Sequence, residues 1–129
     1  MGDREIIRGW LSKADEDFDF ALVNQQEDRS FTAQICFHFQ QATEKYLKAC
    51  IVSFDLPFLK THDLPVLLDL LHGKDPSFDR INAECEFLNA FYISTRYPVH
   101  WPSDFSRDTA IKALAAADRI RLFVKEKLK

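Results

Sequence analysis

Arg96 and His100 are the residues whose types and spacing best suit a reaction. Arg96 precedes Tyr97-Pro98 on a segment stiffened by Pro98 and Pro102. A guanidinium held there can take a phosphate bidentately. His100, four positions on, has the chemistry of a general base or acid towards a ribose 2′-hydroxyl. The pair would cleave a phosphodiester without a metal. Two other readings stay open: Arg96 holds a phosphate with no catalysis, or it braces the helix before it by pairing with Glu44 or Asp63.

A second set lies between Phe31 and Phe54. Gln34, His38, Gln41, Lys45 and Lys48 recur at alternating steps of four and three, so a helix puts them on one stripe. His38, Lys45 and Lys48 could together contact a nucleotide phosphate; the solvated face of a helix explains the same stripe. Gln40 and Glu44 fall on the otherwise apolar side, beside Phe37, Leu47 and Ile51. Buried polar groups need partners. Gln40 and Glu44 are therefore expected to bond to another helix, to Arg96 or across a subunit interface, with Glu44 as a catalytic base the alternative. His62-Asp63 reads as a helix cap, and His72 as a cation near a helix carboxyl end. Trp101, between two prolines, either stacks on a base or folds back onto the protein.

Other chemistries lack their motifs. There is no H-E-x-x-H, no paired His on one turn and no Cys cluster, so no metal is expected. The 3 Gly cannot build a P-loop or a dinucleotide fingerprint, and no cofactor is expected. Cys36, Cys50 and Cys85 are odd in number and far apart, which suits core thiols in a reducing cytoplasm. A net charge of -3 gives no general field to draw nucleic acid, leaving only a local phosphate site. No apolar run approaches a membrane span and no signal peptide is evident, so a cytoplasmic protein is expected.

The elements that must position these residues are helical. The 129 residues suffice for one domain, 1–129, and 12 Phe against 3 Gly and 5 Pro argue for long elements around an aromatic core. Apolar spacing predicts a first helix from about Asp3 to Gln26 and a second from about Phe31 to Phe54, capped by Ser30 and closed by Pro57. A short third helix follows Thr61 or Asp63, carries Leu64, Leu67, Leu68 and Leu71 on one face, and ends at Gly73. A fourth opens at Ser77 or Asp79 and stops near Thr95 or Arg96. The last runs from Asp104 or Ser106 to Leu128, with a seam of small residues (Ala110, Ala113, Ala117) that another helix could approach. The expected fold is all-α: an antiparallel up-and-down bundle of four long helices, with the short third as a cross-piece.

Four segments, in order, resemble the HEPN (higher eukaryotes and prokaryotes nucleotide-binding) domain family. Trp10 to Phe18 is similar to its W-L-x-x-A-x-x-D-L opening, and Cys36 to Ala49 to its F-H-x-Q-Q-A-x-E-K-x-L-K-A helix. Thr61-His62-Asp63-Leu64 matches T-H-D-L, and Leu88 to Pro98 resembles L-N-x-x-Y-I-x-T-R-Y-P. The resemblance implies a helical bundle that pairs into a homodimer and is often encoded beside, or fused to, a minimal nucleotidyltransferase, in some cases as a toxin-antitoxin pair. It implies a nucleotide or single-stranded RNA as ligand. It also implies an alternative, a metal-independent endoribonuclease using an Arg and a His with four to six residues between them; between Arg96 and His100 there are three. A purely structural interaction module is the remaining reading. A dimer interface is expected from the second and fourth helices near the Arg96 loop, or from the alanine seam of the last helix.

Overall fold

The computed structural model describes residues 3–27, 31–96 and 106–129. Five α-helices account for most of them: α1 (Arg4–Gln26), α2 (Thr32–Ser53), α3 (Leu64–Lys74), α4 (Asn82–Arg96) and α5 (Arg107–Lys127), with a 3-10 turn at Pro76–Ile81. Among the described residues there is no strand. The all-α helical bundle follows from the apolar spacing of these segments. Ser30, His100 and Trp101 lie outside the described residues.

α2 is the axle of the bundle. It packs against α1, α5, α4 and α3, and its buried residues, from Ile35 and Cys36 to Cys50 and Ile51, face all of them. Phe39, Tyr46, Leu47 and Ile51 fill the centre with Phe18 of α1, Leu67 and Leu71 of α3, Leu88 of α4 and Ile120 of α5. Burying a Leu, Ile or Phe side chain stabilises by about 1.5–3 kcal/mol each, so this aromatic and aliphatic centre supplies the main driving force for folding. Within the chain α2 keeps only a few side chains, among them Gln34, Phe37 and His38, in contact with solvent. The alanine seam is likewise used within the chain: Ala110, Ala113, Ala116 and Ala117 are buried and let α5 approach its neighbours.

Helix ends differ from expectation in instructive ways. α2 ends before Pro57. Asp55 adopts φ 55°, its amide bonding Val52 and that of Leu56 bonding Ile51, a left-handed closure that satisfies the last carbonyls. Gly73 does not end α3, and no described glycine has positive φ. The helix continues to Lys74, and the extended backbone of Asp75 before Pro76 stops it. Asp75, rather than Ser77 or Asp79, caps the next element, accepting from the Ser77 amide at 3.0 Å. The other caps fall as their residue types dictate: Asp3 accepts from Glu5, Asp63 from Val66, and Ser106 from Thr109.

A candidate site where helices two, three and four meet

Glu44 organises this region. It sits mid-way along α2 with only 4% of its surface exposed. One carboxylate oxygen accepts from Lys48 Nζ at 2.8 Å, one turn on. The other faces His62 Nδ1 at 2.9 Å and Gln41 Nε2 at 3.4 Å. Gln40, fully buried, donates to the His62 carbonyl at 3.1 Å and accepts from Gln41 at 2.7 Å. The buried amide and carboxylate of α2 thus find their partners in His62, on the segment leading into α3, and in Gln41 and Lys48 of α2 itself, rather than on another helix.

His62 is placed by three independent constraints. Asp63 caps α3, and Asn89 of α4 accepts from the Leu64 amide at 2.9 Å, tying the start of α3 to α4. Gln40 holds the His62 carbonyl from below. The imidazole stacks on Tyr92 of α4, ring centroids 4.4 Å apart and planes 15° from parallel. Where Glu44 is a carboxylate it can only accept, so the proton of this bond belongs to Nδ1 and Nε2 lies on the other side of the ring. Half of the side chain is exposed. A half-exposed imidazole oriented by a buried carboxylate is a competent proton-transfer group. The T-H-D-L segment supplies both the expected cap, at Asp63, and this imidazole; the carboxylate of Glu44 on an apolar face is the sequence signal that points to the second.

Lys48 is buried to 6% exposure. Besides Glu44, its ammonium lies 5.6 Å from the ring centres of Trp10 and Phe58, which stack on each other at 5.7 Å. Aromatic faces stabilise a cation deprived of water. Phe58 is about half exposed and Trp10 partly so, and the patch presents aromatic rings to solvent around a core of charge.

His38 and Lys45 turn elsewhere. Both bond to Asp17 of α1, His38 Nδ1 at 3.2 Å and Lys45 Nζ at 2.5 Å. Burial works to raise the Asp17 carboxyl, but the hydrogen bonds and charges of His38 and Lys45 outweigh it and hold the group below the usual carboxylate range. The polar stripe of α2 therefore divides: His38 and Lys45 bond to α1, Gln41 and Lys48 join the Glu44 cluster, and Gln34 is exposed. Nearby, Tyr46 donates to Asp15, which also receives Lys125; burial first, then Asp15, pushes the Tyr46 phenol up. Arg96 is the last residue of α4, one turn beyond Tyr92, and its side chain lies outside the described part of the structure. Among the described residues, no group of three or more His, Cys, Asp or Glu could hold a metal ion, and no helix is long and apolar enough to cross a membrane.

Solved structures and known families agree on what this arrangement belongs to. The crystal structure of TT1696 from Thermus thermophilus is similar over 94% of this chain and 97% of that one, with a TM-score of 0.77 and 29% identity. An archaeal HEPN homologue, ST0689, shares the fold over 95% of this chain and 98% of its own, with a TM-score of 0.74 and 22% identity. A comparison with curated proteins finds no match. The HEPN domain model matches residues 7–127, nearly the whole bundle and every residue of the Glu44–His62 cluster. This chain belongs to the HEPN domain family.

Proposed function

We propose that this HEPN protein is a nucleotide- or RNA-binding module that works as a homodimer beside a minimal nucleotidyltransferase, in the manner of a toxin-antitoxin pair. One observation carries the ligand reading: the half-exposed His62 imidazole is fixed by Glu44 and stacked on Tyr92, one helical turn before Arg96. Burying a carboxylate with an ammonium contributes little net stability, so the pair is better explained by what it orients. The rings of His62, Tyr92, Trp10 and Phe58 offer faces on which bases stack, and stacking of this kind contributes about 1–3 kcal/mol per base. The exposed apolar side chains Phe20 and Val23 on α1, and Ile111 and Leu122 on α5, support self-association.

The test is binding of a fluorescent single-stranded RNA and of ATP. His62→Ala and Arg96→Ala should each weaken binding about tenfold or more; wild-type affinity in both variants would overturn the reading. A monomeric mass at micromolar concentration would overturn the dimer, and co-purification with the product of a neighbouring nucleotidyltransferase gene checks the pairing.

The same dyad favours a second reading, a metal-independent endoribonuclease. His62 Nε2 would accept the proton of a ribose 2′-hydroxyl as that oxygen attacks phosphorus. The bond to the 5′-oxygen breaks, and the leaving oxygen takes a proton, giving a 2′,3′-cyclic phosphate and a 5′-hydroxyl. Arg96 would hold the phosphate, with His100 as the alternative proton carrier. Cleavage of single-stranded RNA in EDTA that persists in Arg96→Ala would remove this reading.

A further inference from the structure

A cleft of about 540 Å³ opens where the first turns of α1 meet the last turns of α2 and α5. Its lining divides by chemistry. Leu11, Phe54 and Leu128 give it an apolar floor, whereas its charged side chains are all cationic. Lys127 is engaged by Asp75 at 2.7 Å and Lys129 by Glu126 at 3.0 Å. Arg4 and Arg8 differ: among the described residues neither has an ion pair or a side-chain hydrogen bond. They stand one turn apart on α1, both exposed, where like charges repel and weaken a helix. Two guanidinium groups with no partner among the described residues thus stand at the rim of a part-apolar cleft.

We infer that this cleft binds a small phosphorylated molecule carrying an apolar group. The phosphate lies between Arg4 and Arg8, whose planar forks suit its oxygens better than ammonium groups do. The apolar portion lies on Leu11, Phe54 and Leu128. The volume is that of a small-molecule site, too small to take a folded partner. The site is separate from the Glu44–His62 cluster: Ser53, on the cleft wall, is nine residues past Glu44 on α2, about 14 Å along the axis.

The experiment titrates the isotope-labelled full chain with phenyl phosphate, inorganic phosphate and phenol, following backbone amides by NMR. Phenyl phosphate should give saturable shifts at residues 4–11, 53–54 and 127–129, with about tenfold higher affinity than inorganic phosphate because the ring is buried; phenol alone should give none. Arg4→Ala/Arg8→Ala should lower the affinity at least tenfold with the native amide spectrum otherwise retained. No saturable shift, shifts confined to other residues, or equal affinity in the double arginine variant would each overturn the inference. So would a cleft that responds to an acidic peptide or to RNA but not to phenyl phosphate.

Discussion

Replacing Glu44 by Gln should destabilise the protein by about 3 kcal/mol, because it removes charge from a buried pair while keeping the volume. The wild-type carboxylate is 4% exposed and Lys48 6%, so neither charge has bulk water to fall back on. In Glu44→Gln the ammonium keeps its place over Trp10 and Phe58 but loses its counter-ion, 2.8 Å away. The aromatic faces offset part of that cost, which sets the value at the lower end of the roughly 3–5 kcal/mol typical of a broken buried pair. For 129 residues each kcal/mol moves the melting temperature by roughly 3–4 °C, so Tm should fall by about 10 °C. The decisive comparison is Glu44→Leu/Lys48→Met, which removes both charges. It should recover most of the loss, and it would give up RNA binding if the pair serves His62. Thermal and urea unfolding measure both variants. A single-variant loss below about 1 kcal/mol, or a double variant less stable than the single, would refute the argument that the buried charges are held for each other.

Other outcomes follow from local geometry. Gly9 lies mid-helix in α1 with open space where a Cβ would go, so Gly9→Ala should stabilise by about 0.5–1 kcal/mol in urea unfolding. Asp17 titrates below its unfolded value, near 4, so the unfolded chain binds more protons between the two values. Its contribution is therefore present above about pH 4 and lost as pH falls through the folded value, and Asp17→Asn should flatten that part of the acid unfolding curve. Cys36, Cys50 and Cys85 are buried, and burial pushes each thiol up to about 12. At about pH 8 the folded protein should resist thiol reagents until denaturant is added, and prompt modification of any of the three would contradict the packing.

The helices were legible because their signal is local. Leu64, Leu67, Leu68 and Leu71 mark a buried face by spacing alone, and all four are buried. Partner choice was not legible, because it joins residues far apart in the chain. Asp17 and Lys45 are 28 positions apart, and Asp15 and Lys125 are 110. From the pattern of either helix alone, each of these groups looks like a member of a wet face. Gln40 and Glu44 were recognisable as needing partners, since polar groups on an apolar face violate the pattern. That the partner is His62 depends on how the segment after Pro57 folds back, which Asp55 and Asn89 determine. Gly73 misled for a related reason: a glycine marks a helix end only where the backbone turns left-handed, and here Asp75-Pro76 ends the helix first.

The encasement of α2 has a consequence for how the molecule breathes. Fraying of α1, α3 or α5 uncovers one side of the central helix while the others stay packed, so each such excursion is partial. α2 has no excursion of its own, since releasing it dismantles every interface at once. Its amide protons from Phe39 to Cys50 should exchange with solvent only as fast as the whole chain unfolds. The Glu44 end of the dyad therefore sits on the most persistent part of the molecule, and its His62 end on the segment between α2 and α3, which Asn89 and Tyr92 of α4 fasten from the other side.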